Sequence, residues 1–149
     1  MILGRMGMLI AVVVGLQAAP ASASAAEQSL VYETYRTSVE PIFLKKRPGH
    51  ARCVICHAES NNAFRLQKLT PGSTSWTEEQ SRRNFEMVSK LVVPSDPLSS
   101  RLLLAPLAPE AGGAAYHSGG RQFSSKNDPD WEILARWAAG QNQAVSPPK

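Results

Sequence analysis

Cysteine, histidine and methionine are scarce in this chain of 149 residues, and that scarcity narrows its chemistry. It has two cysteines, Cys53 and Cys56, and three histidines, His50, His57 and His117. With His57 the cysteines supply three ligands, one short of the usual complement of a structural zinc site. Of the four methionines, Met1, Met6 and Met8 stand at the extreme N-terminus, which leaves Met87 as the one thioether further on. No stretch shows convincing strand alternation and no internal repeat is visible, so the pattern points away from sheet and repeat architectures. After the first segment no run is apolar enough to cross a bilayer. The formal net charge of +4 is mild and does not argue for a nucleic-acid partner.

The first segment has the form of an export signal. Arg5 supplies a positive start, Met8 to Leu16 an apolar stretch, and Ala21-Ser22-Ala23 and Ala23-Ser24-Ala25 two small-residue cleavage patterns. The apolar run is short for a membrane anchor, and small residues follow at once. Cleavage is expected after Ala23 or Ala25. The expected organisation is then a signal peptide over 1–25, one domain over 26–140 and a disordered tail over 141–149. The mature protein is expected to be soluble and exported, with no transmembrane segment.

Both cysteines fall in one motif, Cys53-Val54-Ile55-Cys56-His57. C-x-x-C-H is the pattern at which haem is attached through two thioethers. Two thiols three positions apart on a helical turn can each meet one vinyl group. The following His57 is carried beneath the porphyrin, where neutral imidazole can bind iron. The same pair of cysteines could form a redox-active disulfide, but that reading wants a βαβ setting, and none is visible. The expected cofactor is therefore one covalent haem c. No second motif of this kind exists, which argues against a dihaem peroxidase.

The rest of the chain reads as short helices. Glu27 to Lys46 looks helical in two pieces, with Ser38 capping the second and Pro41 near its start. Arg47-Pro48-Gly49 ends it and leads into the motif. Asn61 to Ser75 is polar and irregular. Thr77-Glu78-Glu79-Gln80 is a capping box opening a helix to about Val92, with Phe85, Val88 and Leu91 or Val92 on its apolar face. Ser99 to Leu104 forms another short helix, which Pro106 and Pro109 close. Ala111 to Ser125 is a loop of glycine and small residues. Asp128 caps the last helix with Pro129 in its first turn, Trp131, Leu134, Ala135 and Ala138 recur at helical spacing, and Gly140 stops it. Lys45-Lys46-Arg47 and Arg82-Arg83 read as solvated faces that could orient an acidic redox partner. The expected fold is a small all-α domain whose core is largely cofactor.

An iron held by His57 has a sixth position, and its occupant sets much of the chemistry. His50 lies just before the motif, on the proximal side. Met87 sits mid-helix among apolar neighbours, a setting typical of core packing, and is the runner-up. His117 stands in a flexible loop, Ala114-Ala115-Tyr116-His117-Ser118-Gly119-Gly120, whose glycines allow close approach to a flat cofactor. His117 is the expected distal ligand. Two imidazoles generally give a lower potential than a thioether does, and a vacant position would admit small ligands.

These stretches resemble a known family. Val39-Glu40-Pro41-Ile42-Phe43 followed by the haem motif is similar to the start of many cytochrome c domains. Val93-Pro94-Ser95-Asp96-Pro97-Leu98-Ser99-Ser100-Arg101-Leu102 resembles a stretch of planctomycete-type cytochrome c-like domains, which also end in a tryptophan-bearing helix like Asp130 to Gly140. The resemblance implies a cytochrome c-like fold, with terminal helices crossing beside the haem and Trp131 or Trp137 packing there. It implies haem attachment outside the cytoplasmic membrane, in the periplasm or an equivalent compartment. It also implies an electron carrier rather than an enzyme, working with redox partner proteins. Many members supply a distal methionine from Met-Pro-Pro before the last helix; this chain has His117-Ser118-Gly119-Gly120 instead. The alternative is a haem-based sensor or enzyme subunit with an open or displaceable sixth position.

Overall fold

The computed structural model describes residues 30–141. The expected leader and the tail beyond Gln141 lie outside them. Among the described residues there are no strands, only an isolated parallel bridge between Leu107 and Phe123. The helices are α1 (Tyr32–Thr34), α2 (Glu40–Leu44), α3 (Cys53–His57), α4 (Glu78–Ser89), α5 (Arg101–Leu104) and α6 (Pro129–Ala138). Tight 3-10 turns fall at Pro97–Ser99 and Pro109–Ala111.

The opening segment departs from the two-piece expectation. Ser38 caps nothing; a π-helical turn, Tyr35–Val39, joins α1 to α2 directly. Pro41 accounts for this. Its missing N–H and its ring spoil the bond to the carbonyl of Thr37, and a wider turn relieves the crowding. Within it the Glu40 N–H reaches back to the Tyr35 carbonyl. The wider turn lets Tyr35, Val39, Glu40, Ile42 and Phe43 all face inward. Glu40, at 1% exposure, pairs with Arg36 and accepts from Ser81 Oγ at 3.0 Å. Burial raises its carboxyl above the usual range, against the opposing pull of Ser81 and Arg36.

The capping box at Thr77 is formed in full, with Gln80 N donating to Thr77 Oγ1 and Thr77 N donating to Gln80 Oε1. The helix stops at Ser89, short of Val92, although Leu91 and Val92 remain in the core. The irregular stretch before it is better anchored than its polarity suggested. Trp76, 2% exposed, donates its indole N–H to the Gln67 carbonyl, and Asn84 Oδ1 accepts from the Gln67 amide at 2.7 Å.

Helix α6 begins as expected, Asp128 accepting from the amides of Asp130 and Trp131 with Pro129 in the first turn. It packs against the opening segment: Trp137 lies 5.7 Å from the Tyr35 ring and donates to the Val31 carbonyl. Arg47 adds a polar clamp, binding Asp128 through both guanidinium nitrogens and also Asp130, while Lys45 reaches Asp130 at 2.8 Å. Within the basic cluster at 45–47 only Lys46 lacks an acidic partner. Arg82 and Arg83 pair with Glu78 and Glu79 one turn earlier. Arg82, Arg83, Lys45 and Lys46 stay exposed, as expected of solvated faces, and Arg47 alone is drawn into the fold.

Candidate functional site

Helix α3 is a little over one turn, carrying the whole motif. Arg52 enters it in an extended conformation, and the Ala58 amide closes it on the Val54 carbonyl at 2.9 Å. Val54 turns into the core, Ile55 and Cys56 are exposed, and Cys53 and His57 are half-buried. The chain then folds back. Leu66 donates its amide to the His57 carbonyl at 3.0 Å, and the Phe64 ring lies 4.2 Å from the His57 imidazole. His57 Nδ1 is 2.7 Å from the Phe64 carbonyl, an acceptor only, so Nδ1 carries the proton. That tautomer leaves Nε2 with a free lone pair, the arrangement that orients ligating histidines.

His117 reaches the same place from the other end of the chain. Its loop leaves and returns at the Leu107–Phe123 bridge, where Ala108 N bonds the Phe123 carbonyl and Phe123 N bonds the Pro106 carbonyl. Gly113 packs so tightly that a Cβ there would lie 1.9 Å from the Leu107 oxygen. The turn from His117 to Gly120 closes through Gly120 N and the His117 carbonyl at 3.0 Å, with Gly120 in the left-handed region at φ 79°. His117 Nδ1 is 2.6 Å from the Gly120 carbonyl, so this ring too keeps its proton on Nδ1 and leaves Nε2 free.

The two imidazole centres are 6.1 Å apart, with planes 18° from parallel. Two imidazole nitrogens at about 2.0–2.1 Å on opposite sides of a metal would put the ring centres roughly 6 Å apart. Burial, with a smaller push from His117, lowers the His57 pKa against the opposing pull of the Phe64 carbonyl, which favours the neutral ligating form.

Both rings and both cysteines line one open cavity of about 140 Å³. Ile42 and Phe43 of α2, Leu102 of α5 and Leu134 of α6 supply apolar walls. Burial pushes the Cys53 thiol up to about 11, so at neutral pH it is not the low-pKa thiolate of a redox-active pair. Both cysteines are free.

Cys53, Cys56, His57 and His117 therefore come together. Met87, half-buried on α4, and His50, near Gly120, are not among the residues lining the cavity. Neither are Trp131 and Trp137, which belong to the core, where Trp131 donates to the Leu103 carbonyl. From α6 it is Leu134 that faces the cavity. Phe64 escaped the sequence reading. Its one signal was an aromatic seven positions after His57 in an otherwise polar stretch. Among the described residues no group of three or more His, Cys, Asp or Glu side chains is arranged to hold a metal ion. No helix among them is long and apolar enough to cross a membrane. No protein-family model, curated protein or solved structure matches the chain.

Proposed function

We propose that this protein is an exported monohaem c-type cytochrome, an electron carrier with a cytochrome c-like fold and His/His axial ligation. One observation carries the reading: two imidazoles in the same tautomer stand 6.1 Å apart, their planes 18° from parallel, on the wall of a cavity that the two motif cysteines also line. The residues suit a covalent haem, which Cys53 and Cys56 would hold through thioether bonds and His57 and His117 through their imidazoles. When bound, the haem supplies a one-electron iron couple.

The chain's own work is positional. The Phe64 and Gly120 carbonyls hold the protons of the two rings and so aim each Nε2. Phe43, Leu102 and Leu134 exclude water from one side, which helps set a potential through burial. Exposed Cys56 and Ile55 on α3, and Tyr116 beside His117, leave the other side accessible to a redox partner.

A second reading keeps the haem but makes the sixth position exchangeable for a small ligand. It draws on one observation: the His117 ring is tied only to its own turn, on an accessible loop. The experiment is expression with haem-attachment machinery, a haem-stained denaturing gel, and optical spectra of both redox states with and without carbon monoxide. A stained band, low-spin spectra and no carbon monoxide binding at neutral pH are expected. Carbon monoxide binding would favour the second reading; an unstained band would defeat both.

A further inference from the structure

Two limbs of the chain meet at the cavity. Residues 47–52 lead into α3, and residues 117–123 carry His117 and return toward α6. Gln122 joins them. Only 8% exposed and on the cavity wall, it donates from Nε2 to the Ala51 carbonyl at 3.2 Å, two positions ahead of Cys53. Its own carbonyl accepts from Arg47 Nη1 at 3.3 Å. Arg47 is itself fixed by Asp128 and Asp130, with its guanidinium 4.6 Å from the Phe123 ring centre. The residues on either side of Gln122 bond elsewhere: Arg121 donates to the Ala105 carbonyl, and the Phe123 amide donates to the Pro106 carbonyl. Among the described residues, the hydrogen bonds between the two limbs are therefore the two at Gln122.

We propose that Gln122 is a positioning residue for His117: its carboxamide ties the return limb of the loop to the approach of α3 and so holds the two imidazoles at their 6.1 Å separation. This rests on the haem reading, in which both rings bind one iron. Gln122 stands five positions after His117, and Ala51 six positions before His57, so the bond closes a short path between the rings. A loop already tied down loses less conformational freedom when its ring binds, which favours the closed, six-coordinate state. One neutral hydrogen bond shifts such an equilibrium by about two- to tenfold.

The test uses the ferric holoprotein, its Q122M and Q122N variants, and cyanide as a competing ligand. Methionine keeps the length of the side chain but has no donor; asparagine keeps the carboxamide on a shorter stem. Cyanide enters only where His117 has left, so its apparent affinity reads the fraction of protein with that ring off the iron. Both variants are expected to bind cyanide about two- to tenfold more tightly than wild type. In the His117→Ala background the same substitutions should change the affinity by less than about twofold, because no ring is left to position. Equal affinities in wild type and variants overturn the proposal, as does the absence of cyanide binding in all of them. So does a gain that persists in the His117→Ala background, because Gln122 would then screen the cavity rather than position the ring. Either variant alone completes the comparison, so misfolding of one leaves the decision to the other. An unstained wild-type band, or a low-spin spectrum that survives His117→Ala, defeats the haem reading and this inference with it; once both are passed, failure belongs to the Gln122 proposal alone.

Discussion

His57 and His117 present the same tautomer to the same cavity, but the chain delivers them differently. His57 rides on a helical turn whose five residues also carry both cysteines, and the fold-back through Phe64 and Leu66 locks that turn from behind. His117 hangs from an excursion closed at its base by the Leu107–Phe123 bridge, and its ring is bonded only within its own turn. The first arrangement is local and stiff. The second depends on contacts between segments distant in sequence, so it is the part more easily opened, as sites drawn from the less protected end of a structure tend to be.

The α3 side is the one whose loss has the largest effect. Replacing Cys53 and Cys56 together with alanine should abolish the haem-stained band, because no other thiol exists in the chain. His117→Ala should act differently: the stain stays, while the six-coordinate low-spin spectrum gives way to a five-coordinate one that binds carbon monoxide. If His117→Ala leaves the low-spin spectrum intact, the two sides are not a ligand pair.

Gly113→Ala tests whether the base of the loop holds His117 in place. A Cβ would collide with the Leu107 carbonyl, a backbone atom that cannot swing aside. We expect a loss of about 1–3 kcal/mol in chemical denaturation. A fraction of the protein should also show the His117→Ala spectrum.

Smaller effects belong to the scaffold shared by both sides. Burial alone would raise the Asp128 carboxyl, but bonds from Arg47 and the α6 amides outweigh it and hold it below its ordinary value of 3.8. A lowered carboxylate stabilises the fold above that value, and the contribution is lost as pH falls through the still lower folded value. Asp128→Ala should cost about 1–2 kcal/mol at neutral pH and flatten the acid limb of a denaturation profile. Thr77→Ala, off the cavity wall, should cost about 1 kcal/mol and leave the optical spectrum unchanged; a spectral change there would show that α4 is coupled to the site.

Much of the helical pattern was legible because its causes are local. The Thr77 box and the Asp128 cap with Pro129 each lie within a few residues, and hydrogen bonds at that range survive any choice of tertiary fold. The opening helix was misread where two local signals competed: Ser38 suggested a cap, yet burying Tyr35, Val39 and Phe43 together favoured a continuous, widened turn ahead of Pro41. In the basic cluster at 45–47, Lys45 and Lys46 are exposed as expected, and it is Arg47 that is drawn into the fold. Its partners, Asp128 and Asp130, stand on the far side of the chain, and a charge pattern carries no information about such distant partners.

The sequence alone determined the composition of the site on the α3 side, since Cys53, Cys56 and His57 owe their mutual placement to a single helical turn. It also narrowed the candidates for the other side to His50, Met87 and His117, by scarcity. Only the tertiary structure brought His117 to the cavity and left Met87 and His50 off its wall. It also joined the two sides through the bond from Gln122 to the Ala51 carbonyl. The physical reason is the same in each case. Distances between segments are set by how apolar faces pack and by which loops that packing allows to close, and neither is written in the spacing of residues along the chain.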